Sequence, residues 1–226
     1  MIFLAAAALA LAAAPCPDLV TSEAFVCRAL DASSKNQPEA AALAFEQAAV
    51  AAPAGDPARD RLLAAAGNMW IAAGQPGKAA LALDRVLSGT GLQGPQRGEA
   101  LLDRARAAES QNDLKTARAK VKEAEATISG DPFLWYFSAA LAIREEDRAT
   151  AKSAIDKALA LAPADAAILF EAGHVAHFTG DVVGARSYWT RAAAADPKGK
   201  TGQSAREALA LLPAPVTLKD APAKAE

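Results

Sequence analysis

The sequence predicts an all-α protein, with five helix–turn–helix units in series and a terminal helix after them. Three observations carry that expectation. The first is composition. Of 226 residues, 52% are hydrophobic and 22% are charged, which is enough apolar matter for a packed core. Alanine supplies 63 of them, whereas aromatic residues make up only 5%. Alanine is the strongest helix former and is depleted in strands. A core built from so small a side chain needs helices that approach closely and a few large residues as anchors. The second observation is a series of five short breaks: Asn36-Gln37, Gly74-Gln75, Asn112-Asp113, Glu146-Asp147 and Gly180-Asp181. The third is a pair of small-residue ladders keyed to those breaks. Ala29, Gly67, Ala105, Ala139 and Gly173 precede them, and Ala41, Ala79, Ala117, Ala151 and Ala185 follow. Both ladders step by 38, 38, 34 and 34 residues.

The elements follow in chain order. Met1 to Ala14 read MIFLAAAALALAAA without a charged side chain. An apolar run of about 15 residues is short of the roughly 20 that span a membrane and suits a secretory signal. Ala10 and Ala12 give a peptidase its small residues, although no Lys or Arg stands at the front. An uncleaved anchor and a misplaced start are the alternatives. A lead-in at 15–21 comes next. Cys16 and Cys27 are the only cysteines, and in an exported protein they suggest a disulfide. Two unrelated thiols and an acylated Cys16 are the other readings, although Pro15 departs from the lipoprotein pattern.

The five units are placed at about 22–55, 60–93, 98–131, 132–165 and 166–199. Bulky residues form two further ladders: Phe45, Leu83, Val121, Ile155 and Trp189, and Phe25, Leu63, Leu101, Trp135 and Leu169. Ala48, Val86, Ala124, Ala158 and Ala192 make a fifth. Within each helix the spacing follows threes and fours, as an amphipathic helix requires. The 38-residue steps imply insertions at Pro53 to Pro57 and at Gly89 to Gly98. Asp56-Pro57 and Asp131-Pro132 read as helix starts. After Pro197, Ser204 with Glu207 makes a capping-box pattern. A capping helix at 200–212 would bury Leu209, Leu211 and Leu212, as the end of a repeat stack requires. Residues 213–226, rich in Pro, Ala and Lys, read as a disordered tail.

These ladders resemble the tetratricopeptide repeat family over about residues 22 to 199, and with the signal-like start the chain reads as a bacterial, exported member. The last two units match best, through Trp135, Ser138-Ala139, Asp147, Ala151, Ile155, Ala158 and Pro163, and through Ala172-Gly173, Gly180-Asp181, Ala185, Trp189, Ala192 and Pro197. The resemblance implies a right-handed α-solenoid of about five such units plus the capping helix. It also implies a concave groove, lined by the first helix of each unit, that takes a peptide or a partner helix. Position by position it places Asn68, Arg106, Phe133, Tyr136, Phe137, Phe170, His174, His177 and Phe178 in that groove. Arg61, Glu99, Leu102, Glu109 and Ile143 fall there as well. One subtype clamps a C-terminal carboxylate with Lys and Asn. Here Val26, Leu30, Ala64 and Glu99 occupy its slots and only Asn68 fits, which argues against that ligand.

Few residues point to chemistry. The two histidines, His174 and His177, stand with Glu171 as Glu-x-x-His-x-x-His, a set a transition metal can use. No second His or Cys cluster supports it, so two polar residues lining a groove are the favoured reading, with no metal and no cofactor. Gly199-Lys200-Thr201 is like the end of a phosphate-binding loop, but Ala194 stands where the motif needs glycine. Lys115, Arg118, Lys120 and Lys122 are followed by Glu123 and Glu125 and read as a solvated mixed-charge face. With a net charge of −2, a general nucleic-acid binder is disfavoured. The expected function is a non-enzymatic scaffold or adaptor of the bacterial periplasm that binds a protein or peptide partner and has no membrane span after signal cleavage. A structural or assembly role through helix flanks or tail is the alternative, and a metal-binding or catalytic protein the minor one.

Overall fold

The computed structural model describes residues 16–213. The signal-like segment at 1–14 and the tail after Pro213 lie outside the described residues. The described residues form eleven α-helices and no strand. They are α1 (Ser22–Ser34), α2 (Pro38–Ala51), α3 (Ala58–Ala72), α4 (Pro76–Leu87), α5 (Gly94–Ser110), α6 (Leu114–Ile128), α7 (Pro132–Arg144), α8 (Arg148–Leu161), α9 (Ala166–Thr179), α10 (Val182–Ala195) and α11 (Lys200–Leu211).

The five sequence breaks are the five hairpin turns. Their first residues, Asn36, Gly74, Asn112, Glu146 and Gly180, all take the left-handed conformation. In each turn the next residue donates its N–H to a carbonyl five positions back. The pairs are Gln37 to Ala32, Gln75 to Trp70, Asp113 to Ala108, Asp147 to Ala142 and Asp181 to Ala176, at 2.8–2.9 Å. This is the Schellman closure, which satisfies orphan carbonyls at the helix end and reverses the chain. The second helix then starts at once. Pro38 and Pro76 open α2 and α4, while the side chains of Asp113, Asp147 and Asp181 cap α6, α8 and α10.

The small ladders are where paired helices touch. Ala29, Ala105, Ala139 and all five alanines of the second ladder are fully buried. A Cβ added at Gly67 would meet Leu83 Cγ at 2.6 Å, and one at Gly173 would meet Trp189 Nε1 at 2.2 Å. The first helix therefore offers a gap that the bulky ladder of the second helix fills.

The chain divides into two compact units between Leu92 and Gln93. The first holds α1 to α4, each packed on the next. A disulfide joins Cys16 to Cys27, with Cα atoms 5.7 Å apart, and ties the lead-in to α1. Arg28 holds the same segment by donating to the Leu19 carbonyl at 2.7 Å. Trp70 is buried, and its indole N–H donates to Glu46 at 2.8 Å.

The second unit holds α5 to α11. Successive helices pack together, and α7 also lies against α9. The indole N–H groups of Trp135 and Trp189 donate to the Ser129 and Phe170 carbonyls at 2.7 and 3.0 Å. Each buried tryptophan therefore keeps a partner for its one donor. The helix α11 covers the last apolar surface, packing Ala205, Ala208, Leu209 and Leu212 around Leu169 and Trp189.

Four local expectations are corrected. The Gly94–Gly98 stretch is the first turn of α5 and not loop. Ser204 lies inside α11, so it caps nothing; Gly199 precedes the helix, and Asp196 accepts from the Gly199 and Gly202 N–H groups at 2.9 and 3.3 Å. Leu211 is 87% exposed, on the side of α11 away from the core. Arg118 is not part of a solvated face. It is largely buried, donating to Glu145 at 3.0 Å and to the Ser138 hydroxyl at 2.8 Å, because α7 packs over it.

Candidate partner-binding groove

Helices α7 and α9 are the first helices of the fourth and fifth hairpins, and they lie side by side. A cleft of about 400 Å³ opens between them. Its walls are Ala140 and Ile143 from α7, and Glu171, His174, His177 and Phe178 from α9. Spacings of three and four put the α9 residues on one flank of that helix. Ala140 is half-buried and small, which leaves the space open.

Around the cleft the aromatic side chains differ in role. Phe133 is 55% exposed, and its ring sits 5.6 Å from that of Tyr136. Burial, and after it the Glu171 charge, pushes the Tyr136 hydroxyl above its ordinary pKa. Phe137 and Phe178 are half-buried. Phe170 meets the His174 ring edge-on at 4.5 Å, and His174 in turn meets Trp189 at 5.3 Å. Both rings pack at the core around Trp189, and His174 also lines the cleft. His177 is exposed and lies 6.0 Å from Trp189.

Of the residues the resemblance placed in the groove, the second unit holds all but Arg61 and Asn68. Asn68 lies on α3 in the first unit. Arg106, on α5, pairs with Asp103 on its own helix at 2.8 Å, and its charge also reaches Tyr136.

The sequence reading did not assign Glu171 to the groove. It is 9% exposed, and burial raises its carboxyl to about 7. His174 is lowered by burial and, to a smaller degree, by His177. A signal was present, since Glu171 is the sole Asp, Glu, Lys or Arg in the fourteen residues of α9. Among the described residues no group of three His, Cys, Asp or Glu is arranged to hold a metal ion.

A larger cleft of about 650 Å³ lies over α6, α7 and α8 and includes Arg118, Trp135, Ser138, Glu145 and Lys157. Its central charges already have partners. Arg118 binds Glu145 and Ser138, and the Lys157 ammonium sits 3.7 Å from the Trp135 ring centre.

Solved structures share this arrangement. PilW, a widely conserved type IV pilus biogenesis factor, aligns over 83% of each chain with a TM-score of 0.68 at 18% identity. The thermophilic protein TTC0263 of Thermus thermophilus aligns over 84% of this chain and 100% of its own, with a TM-score of 0.68 at 16% identity. The chain has the tetratricopeptide repeat fold. YrrB, a tetratricopeptide repeat protein with an unusual peptide-binding site, aligns over 82% of this chain and 92% of its own, with a TM-score of 0.57 at 16% identity. No protein-family model matches the sequence, and no curated protein matches it. In tetratricopeptide repeat terms, the cleft lies between the first helices of two successive repeats. Among the described residues no helix is long and apolar enough to cross a membrane.

Proposed function

We propose that the chain is a non-enzymatic interaction adaptor that holds a peptide or partner segment in the groove between α7 and α9. The observation that carries this reading is the open cleft itself. It is flanked by an exposed Phe133 and half-buried Tyr136, Phe137 and Phe178, where the first helices α7 and α9 lie side by side. Contiguous apolar surface next to an open cleft marks an interaction site. One protein of the same fold is described by its peptide-binding site. Export to the bacterial periplasm fits the apolar N-terminal run and the Cys16–Cys27 disulfide, since disulfides persist in oxidising compartments.

The test is affinity capture from a periplasmic extract with the wild type and with a Tyr136→Ala/Phe178→Ala double variant. Neither ring braces Trp189, so the variant keeps its core. Partners retained by the wild type and lost by the variant support the groove. An identical set from both rejects it.

A further inference from the structure

We propose that the cleft between α7 and α9 selects a basic side chain, a lysine or arginine of the partner peptide whose cationic head pairs with Glu171. The proposal rests on the groove reading above and names what the groove recognises. Glu171 lines the cleft, yet no hydrogen-bond donor and no cation among the described residues engages its carboxyl group. Burial lets the carboxyl keep its proton to about 7, and its ionised form has no compensating cation within the chain's described residues. A cation entering the cleft supplies the missing partner.

The chain's own cations near the cleft are committed elsewhere. Arg144, the last residue of α7, binds Glu109 and Asn112. Arg148, at the start of α8, lies 5.5 Å from the centre of the Phe178 ring. Arg106 is paired with Asp103. The titratable groups that face Glu171 are Tyr136 from α7 and, on its own helix, His174 and His177. From α8, Arg148 is the charged group nearest the cleft walls, at the Phe178 ring. His174 titrates below its ordinary range and is neutral at pH 7, so it does not repel an incoming cation.

The walls suit such a side chain as well. Ala140 and Ile143 present apolar surface to a methylene stem, which lysine and arginine bury readily.

The probe is a phage-displayed library of random dodecapeptides, selected on the full immobilised chain as wild type and as Glu171→Gln. The wild type should enrich peptides that share Lys or Arg at one position beside apolar residues. Replacing that residue with norleucine should weaken binding by about tenfold or more, the scale of one desolvated charge pair. The Gln variant should bind both forms alike. Glu171→Met repeats the comparison with an apolar side chain, and circular dichroism checks that each variant is folded. In calorimetry at pH 6, in two buffers of different ionisation heat, the wild type should release a proton on binding the selected peptide and the variants should not. Selected peptides without a basic position, or a lysine preference that survives in Glu171→Gln, would overturn the Glu171 assignment and leave the groove standing. No enriched peptide at all would overturn both.

Discussion

Burial holds the Glu171 carboxyl at about 7, against an ordinary value of 4.5. Between those two values the folded chain keeps a proton that the unfolded chain has lost. Stability therefore falls as pH rises from about 4.5 to about 7 and stays on the lower plateau above that. The full loss is roughly 3 kcal/mol. His174, depressed by burial, acts in the opposite sense and adds stability as pH rises toward 6.5. The difference between wild type and Glu171→Gln isolates the carboxyl. Thermal unfolding at pH 5 should separate the two little, whereas at pH 8 the Gln variant should melt higher by the full plateau difference. Equal melting shifts at both pH values would mean that Glu171 ionises freely. Glu146 is a second residue at odds with its setting. It takes φ +58° in a turn position held elsewhere by Gly74, Gly180, Asn36 and Asn112. A side chain with a Cβ is strained there by about 1–2 kcal/mol. Glu146→Gly should stabilise the chain by about 1 kcal/mol after the entropy of the added glycine, read as a higher urea midpoint at unchanged slope.

At the scale of the helix pair, contact is set by what is missing from a side chain. Gly173 faces the Trp189 indole, and a Cβ there would stand 2.2 Å from Nε1, which also donates to the Phe170 carbonyl. Gly173→Ala must push that ring and its hydrogen bond, so a loss of about 1–3 kcal/mol is expected. Gly67→Ala meets Leu83 at a longer 2.6 Å, and that buried side chain holds no hydrogen bond to lose, so it should cost less. Chemical denaturation of both variants measures the contrast, and equal losses would deny that the tryptophan is the rigid partner. These ladders, with four of the five turn residues, were legible because each obeys a local rule. A left-handed turn wants Gly or Asn, and close helices want Ala or Gly. The features that stayed hidden depend on partners distant in sequence. Nothing near Arg118 announces that Ser138 and Glu145 cover it. Nothing beside Ser204 says that Asp196 caps α11 instead. Glu171 belongs with these, because its burial follows from α7 packing on α9.

Over the whole molecule, repeats that touch only their neighbours make stability a sum of local terms. The Cys16–Cys27 disulfide lies wholly in the first compact unit, on the lead-in and α1. A cross-link with 11 residues of separation restricts the unfolded chain and adds at most about 3 kcal/mol. The actual gain should be smaller, because residues 17–21 are exposed and Arg28 already holds the Leu19 carbonyl. Helices α9, α10 and α11 have a core of their own in the second unit, built on Leu169, Trp189 and their neighbours. A Cys16→Ser/Cys27→Ser variant should therefore lose amide protection in α1 and α2 and keep it in α9 to α11, as followed by hydrogen exchange. Fluorescence gives an independent reading, since Trp70 belongs to the first unit while Trp135 and Trp189 belong to the second. In chains that keep only one tryptophan region, the disulfide variant should lower the unfolding midpoint reported by Trp70 and leave the other unchanged. A common shift at all three tryptophans would show that the chain unfolds as one cooperative body. The stability of the second unit would then depend on the redox state of the Cys16–Cys27 pair in the first.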